Sequence, residues 1–256
     1  MKICGCALAS LALPSCSGIS NNGIPSTPYD EKKLMNEFSS WMDSCGYVIK
    51  EKLGDSKGGL VINECISGFR FIIPQIPWIG GDENSNTFFL MGGAYSLGLI
   101  RPLQQAGLPE REIGHVIYLM SACSFDLDKE KMEQQGQCMV TPEAVEYMRE
   151  GALWSQKKTY PDDFVYDFVE PGDDMYYGIN MTECGILKFY RKMNLEKYVK
   201  YNCLIDYPMY QTYNIHLDRT QTLGNGATCC NFMYLKTGTT PDGWPPETRP
   251  EFKEDA

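Results

Sequence analysis

The sequence YYGINMTECG at residues 176–185 opens the stretch on which the rest of this chain depends. The stretch ends with NGATCCNFMYL at residues 225–235, and it holds a large share of the chain's 11 cysteines. Within it, short apolar runs are followed by thiols, carboxylates and a guanidinium. Any chemistry that the protein performs is therefore expected here.

Alternating side chains predict the strands of this stretch and of the segment before it. The predicted strands cover residues 164–169, 176–179, 216–223 and 227–236. Short helices are expected between them, at residues 183–193 and 206–213.

A hairpin turn is predicted at Asn225-Gly226, because both residues tolerate positive φ. With these two residues as the loop, Arg219 lies opposite Phe232 and Gln221 opposite Cys230. Arg219 and Cys230 then share one face of the sheet, and a slip of one residue reverses the faces.

Helical periodicity dominates the chain before residue 160. Asp30 is the expected N-cap of a helix that ends at Gly54. Further helices are predicted at residues 86–105, 110–123 and 142–157, and residues 60–76 are compatible with helix or buried strand. Thr141 is the expected N-cap of the helix at 142–157, with Pro142 as its first residue.

Helices first and strands later indicate an α+β fold, with an N-terminal helical layer packed on a mostly antiparallel C-terminal sheet. The predicted organisation is an N-terminal arm at 1–28, a single domain at 29–236 and a proline-rich tail at 237–256. The domain divides into a helical part at 29–160 and a sheet part at 161–236. The tail is expected to wrap the domain without building its core.

The charge balance excludes some classes of partner. The chain has 23 basic and 33 acidic residues and a net charge of -10. A basic face for nucleic acid or anionic membrane surfaces is therefore not expected. No apolar run reaches the roughly 20 residues that a transmembrane helix needs. A small-molecule substrate that carries a carboxylate is the expected partner, and a homo-oligomer is compatible with the sequence.

The cysteines have no C-x-x-C spacing, which argues against a zinc ribbon or a thioredoxin-type site. Their positions within apolar runs favour a reduced, cytoplasmic protein. Residues 1–16 resemble a lipoprotein signal only weakly, so this segment is expected to be retained. No metal and no cofactor are expected.

Two thiols and a carboxylate are the candidate catalytic groups. Cys184 lies where a strand gives way to a helix, so free backbone N–H groups there can stabilise a thiolate. Cys203 and Asp206 lie three residues apart, and Asp206 suits a general base or a water-positioning group. The alternatives are a small buried cysteine at 184 and a helix N-cap at Asp206.

Arg219 has two interpretations that the sequence leaves open. It can bind a substrate carboxylate through a bidentate contact, or it can pair with a structural acid such as Asp206 or Asp218. Asn84 ends a loop rich in Pro and Gly that either lines a pocket or caps the next helix. A metal site formed by Cys184, Cys203, Cys230 and His216 is a weaker alternative, because these residues lack local ligand spacing.

Two blocks of sequence resemble the L-2-amino-thiazoline-4-carboxylic acid hydrolase family. The first is IPWIGGDEN at residues 76–84, followed by an apolar helix. The second comprises YGINMTECG at 177–185, CLID at 203–206, RTQTL at 219–223 and CNF at 230–232. The likeness covers residues 30–236. Family members close with a Cys-Asp-Phe-Arg-Phe run, whereas this chain has CNFMY at 230–234.

The resemblance implies hydrolytic opening of a cyclic amidine-like C–N bond in a thiazoline carboxylate, giving an N-carbamoyl cysteine. It implies Cys184 or Cys203 as a thiolate nucleophile, with Asp206 moving protons or placing water. Arg219 would hold the substrate carboxylate. Asn84, Thr222 and Cys230 complete the expected substrate-binding set. The alternatives are a related biosynthetic enzyme acting on another sulfur- or nitrogen-containing ring, and a noncatalytic small-ligand-binding domain.

Overall fold

The computed structural model describes residues 28–253, and the arm expected at residues 1–28 lies almost wholly outside that range. The helices that precede the sheet are α1 (Glu31–Cys45), α2 (Tyr47–Leu53), α3 (Asp55–Phe69), α4 (Asn86–Gln105), α5 (Glu110–Leu127), α6 (Lys129–Met139) and α7 (Pro142–Ser155). The strands are β1 (Val165–Val169), β2 (Met175–Glu183), β3 (His216–Asp218) and β4 (Cys230–Leu235). Three helices lie between β2 and β3, namely α8 (Gly185–Lys192), α9 (Val199–Asn202) and α10 (Asp206–Thr212).

The helical half follows the local signals with two corrections. Asp30 caps α1 by accepting a hydrogen bond from the backbone N–H of Lys33 at 2.9 Å, and Thr141 caps α7 through the N–H of Ala144. The single helix expected between Asp30 and Gly54 is divided at Gly46, where a Cβ would approach the Ile62 side chain of α3 to 3.0 Å. Helix α6 was not predicted.

The four strands form one antiparallel sheet in the order β1-β2-β4-β3. The apolar side chains of α3, α4 and α5 form one buried cluster, and those of the sheet pack with α10 in a second. The predicted α+β fold, with helices mostly before an antiparallel sheet, is therefore confirmed.

The predicted hairpin has the right register but the wrong turn. Asp218 pairs with Met233 and Leu217 with Tyr234, which is the alignment that places Arg219 level with Phe232. The ladder stops at Asp218, so the strand expected at 216–223 is only three residues long. A 3-10 turn at Leu223–Asn225 replaces the two-residue turn, and Gly226 follows it with φ 80°.

The tail beyond residue 236 packs more deeply than expected. Trp244 stacks on His115 of α5 with ring centroids 4.3 Å apart, and Phe252 packs against the main helical core. Glu251 is 2% exposed. The division into arm, domain and tail stays a prediction, but residues 237–253 do contribute buried side chains.

Cys45 of α1 and Cys123 of α5 form a disulfide bond. The expectation that every cysteine is reduced is therefore wrong for this pair. The cysteines of the sheet stretch, at 184, 203, 229 and 230, are thiols. Within residues 28–253, no helix is long and apolar enough to cross a membrane.

Candidate active site

A cleft of about 1150 Å³ opens in the helical half of the molecule. Its walls come from α1, the first half of α4, the end of α5 and the segment where α9 meets α10. The disulfide between Cys45 and Cys123 joins two of these walls, α1 and α5. The volume is slightly above the range typical of small-molecule sites, about 300–1,000 Å³.

Asp206 is the predicted catalytic residue that the structure places in this cleft. It is the first residue of α10, and its side chain is 23% exposed. One carboxylate oxygen, Oδ2, accepts a hydrogen bond from Nη1 of Arg219. The other oxygen has no hydrogen-bond partner within residues 28–253, so it remains available to a molecule in the cleft.

Arg219 lies behind Asp206, where its side chain is 0% exposed and does not line the cleft. Its guanidinium donates to the Cys203 carbonyl at 2.7 Å and to Oε1 of Glu251 at 3.1 Å. The rings of Tyr207 and Phe232 flank it at 5.2 and 5.1 Å. Of the two interpretations of Arg219, pairing with Asp206 is the one that the geometry shows.

Glu251, which sequence analysis missed, completes a row of three charges with Asp206 and Arg219. Its Oε1 accepts from Arg219 and from the Tyr207 hydroxyl, the latter at 2.5 Å. Its Oε2 is buried and has no hydrogen-bond partner in the described chain. No signal in the proline-rich tail marks this residue, because its partners are more than thirty positions earlier in the sequence.

The charges of this row set the protonation of Asp206 in opposite directions. Burial raises the pKa of Asp206 above its ordinary value, and the nearby charge of Glu251 raises it further. The charge and the hydrogen bond of Arg219 lower it and so partly offset the effect of burial. The result is a carboxyl group with a raised pKa at the cleft surface, which suits proton transfer nearer neutral pH.

The three predicted thiols lie close together but none of them lines the cleft. Burial raises the pKa of Cys184 to about 12 and also raises that of Cys203. Cys184 caps α8, and its sulfur accepts a weak hydrogen bond from the N–H of Leu187 at 3.5 Å. The sulfur of Cys230 accepts from the N–H of Leu223 at 3.1 Å. A thiol is the stable form in such surroundings.

The two remaining predicted residues have structural partners. Asn84 lines the cleft, and its amide donates to the Ile79 carbonyl and to Asp163, both at 2.6 Å. Its oxygen accepts from the N–H of Asn86, the first residue of α4, but the N-cap of that helix is Ser85 and not Asn84 as one interpretation expected. Thr222 is 0% exposed, accepts from the Asn225 amide at 2.7 Å and does not line the cleft.

Asn202 lines the cleft beside Asp206 and was also missed. It is 9% exposed, and its oxygen accepts from the buried Tyr190 hydroxyl at 3.3 Å. The one sequence signal that could have found it is its spacing of four from Asp206, because residues four apart share a helical face. Among residues 28–253, no group of three or more His, Cys, Asp or Glu side chains has the geometry to hold a metal ion.

Comparison with known proteins gave one finding. A family model described as L-2-amino-thiazoline-4-carboxylic acid hydrolase matches residues 99–234, which is more than half of the chain. The searches of the curated proteins and of the solved structures found no match to the chain. The matched range includes Asn202, Asp206 and Arg219 but not Glu251. On the strength of that match, the chain belongs to the L-2-amino-thiazoline-4-carboxylic acid hydrolase family.

Proposed function

We propose that the protein is a hydrolase that opens the ring of a small cyclic amidine with water, and that Asp206 is its general base. The observation that carries the proposal is the position of Asp206, which lines the cleft while Arg219 holds one of its two oxygens. A carboxylate fixed in this way can take a proton from a water molecule in the cleft as that water attacks the amidine carbon.

Asn202 supplies the second polar group at this point of the cleft. Its oxygen is engaged by Tyr190, and its amide nitrogen donates no hydrogen bond within residues 28–253. That N–H group can therefore donate to the oxygen of the attacking water, which becomes the carbonyl oxygen of the product. Asp206 and Asn202 would thus hold the two ends of the same water molecule.

The atoms of the product decide which ring bond breaks. In a 2-aminothiazoline, the amidine carbon is bonded to the ring sulfur, the ring nitrogen and the exocyclic nitrogen. After water adds to this carbon, breaking the C–S bond gives an N-carbamoyl thiol, and the proton taken by Asp206 passes to the sulfur. Breaking the ring C–N bond gives an S-carbamoyl amine instead. An N-carbamoyl product requires the first course, so we propose C–S cleavage in place of the C–N opening expected from the sequence.

Product analysis tests the reaction directly. With L-2-amino-thiazoline-4-carboxylate or 2-amino-2-thiazoline, we expect one free thiol to appear for each ring consumed, measured with a disulfide-exchange reagent. A primary amine without a thiol would assign the cleavage to the ring C–N bond, and ammonia would assign it to the exocyclic bond. No consumption of either compound, against a heat-denatured control, would overturn the hydrolase proposal.

The cysteine-dependent mechanism stays a prediction. For one variant, it predicts the opposite effect on kcat from a mechanism with Asp206 as the general base. We expect the Cys184→Ala, Cys203→Ala double variant to keep its kcat within about threefold, because the thiols lie outside the cleft and burial keeps them protonated. The measurement is steady-state ring opening, with Cys229→Ala as the matched cysteine control. A loss of about a hundredfold with an unchanged melting temperature would restore a thiol nucleophile.

A further inference from the structure

We infer that the cleft selects a cationic ring and does not require a carboxylate on it, so that protonated cyclic amidines without an acid group are its preferred substrates. This inference rests on the proposed function for the site, and it adds the class of substrate.

The charged side chains that line the cleft are all acidic. They are Glu37 on α1, Asp82 before α4, Asp128 after α5 and Asp206. Within the described part of the chain, the cleft lining contains no Lys, Arg or His. A substrate carboxylate would therefore enter a negative field without a charged partner, whereas a cation would be attracted.

Arg219 does not change this balance. It was the expected partner of a substrate carboxylate, but its side chain is 0% exposed and its guanidinium already contacts two carboxylates. Reaching a substrate would require it to leave Glu251 as an unpaired buried charge, which is strongly unfavourable. Arg219 therefore holds Asp206 in place and is not available to a substrate carboxylate.

Aromatic rings add a second attraction for a flat cation. Trp41 and Tyr95 line the cleft with their ring centroids 6.1 Å apart, and the Tyr95 hydroxyl donates to Oε2 of Glu37 at 2.7 Å. Phe88 and Phe89 extend this wall, and they are 60% and 39% exposed. Delocalised cations bind to such ring faces, and they bind more strongly where an acid lies beside them.

A buried polar group without a full set of partners marks the same cleft independently of its charge. Asn202 is 9% exposed and presents an amide nitrogen that donates no hydrogen bond within residues 28–253. This nitrogen is not among the fully buried unpaired atoms of the described chain, so it is open to the cleft and can donate to a ligand atom. The acids, the rings and this amide together describe a site for a small, flat, polar cation.

Three compounds of similar shape separate charge from fit. 2-Amino-2-thiazoline carries the cation alone, L-2-amino-thiazoline-4-carboxylate adds an acid, and 2-thiazolidinone is neutral. We expect calorimetry at low salt to give at least about tenfold tighter binding for the first than for either of the others. Equal or tighter binding of the carboxylate compound, or equal binding of the neutral one, would overturn the inference.

Charge variants test the same point without touching the proposed base. Glu37→Gln and Asp128→Asn should each weaken binding of 2-amino-2-thiazoline by about threefold and leave 2-thiazolidinone unchanged. Asp126→Asn is the matched control, because Asp126 is an exposed acid of α5 outside the cleft lining and its loss should not alter affinity. Equal effects of all three variants would reduce the result to overall charge and overturn the inference.

The two proposals fail in different ways. If 2-amino-2-thiazoline binds tightly but neither thiazoline is ever opened, the cation site stands and the hydrolase proposal falls. If both thiazolines are opened and the carboxylate compound has the higher kcat/KM, the hydrolase stands and the cation inference falls.

Discussion

Asp206→Asn is expected to lower kcat for ring opening by about 10²- to 10⁴-fold, the usual contribution of a positioned general base. The amide has the shape of the carboxylate and can still accept from Arg219, but it cannot take a proton from water. Arg219 keeps its bonds to Glu251 and to the Cys203 carbonyl, so the fold should persist. The measurement is kcat, with the melting temperature recorded on the same sample.

The split between kcat and KM separates this role from simple attraction of the substrate. Asp82→Asn removes an exposed acid at the mouth of the cleft, so it should raise KM and leave kcat unchanged. A kcat for Asp206→Asn within about threefold of the parent would contradict the assignment of Asp206 as base.

The pH profile is an independent test of the same role, because kcat/KM must rise with pH as Asp206 loses its proton. Burial raises the pKa of this carboxyl, so the acid limb should lie above the ordinary aspartate range of about 4.

Glu251→Ala is expected to lower the free energy of unfolding by about 3–5 kcal/mol, because it removes one partner of a buried ion pair. Arg219 and Glu251 are both fully buried at their side chains, so solvent cannot replace the lost contact. The Tyr207 hydroxyl would lose its acceptor in the same change. Urea denaturation measures the effect. Glu247→Ala is the matched control, since Glu247 is an exposed tail acid paired with Arg111 and should cost about 1 kcal/mol or less.

Glu251→Gln separates the electrostatic role of this residue from its structural one. The Gln oxygen can still accept from Tyr207 and Arg219, and its nitrogen replaces an oxygen that has no partner. Because the charge of Glu251 raises the pKa of Asp206, removing that charge should lower the pKa. The acid limb of kcat/KM should then move to lower pH. An unmoved limb would show that Glu251 acts on stability alone, and a limb displaced to higher pH would contradict the expected direction of its electrostatic effect.

The elements that the sequence predicted well are those whose periodicity comes from a single buried face. Helices α4 and α5 were placed within a few residues, because their apolar side chains recur along one core. Helix α6 was not predicted because only Met132 and Gly136 are buried along its eleven residues. A helix with so little buried surface has no hydrophobic period to read.

The turn after β3 shows a different limit. Asn225-Gly226 predicted a two-residue hairpin from backbone freedom alone. In the structure, the side chain of Asn225 is 2% exposed and bonds to Thr222 and to the backbone of Lys253. The conformation of Asn225 therefore depends on a contact with the distant tail, which a local sequence pattern does not reveal.

The candidate site was predictable only where its residues are neighbours in sequence. Asp206 and its alternative partnership with Arg219 followed from one stretch, and the two residues do pair. The cleft that gives Asp206 its access is built from α1, α4 and α5, more than seventy residues earlier. Cys184 was a candidate because it lies between a strand and a helix, and Cys203 because it lies three residues before Asp206. Reactivity depends on burial and access, which neither signal reveals.

The contact between Arg219 and Glu251 can form only after residue 251 has been synthesised. Residue 251 leaves the ribosome after the cleft helices, the sheet and Asp206 have all been synthesised. Until it arrives, the guanidinium of Arg219 lacks one of its two acids, and Asp206 has a different electrostatic environment from that of the folded protein. A nascent chain that has already assembled these helices would thus lack the full electrostatic environment of the proposed base until residue 251 has been synthesised.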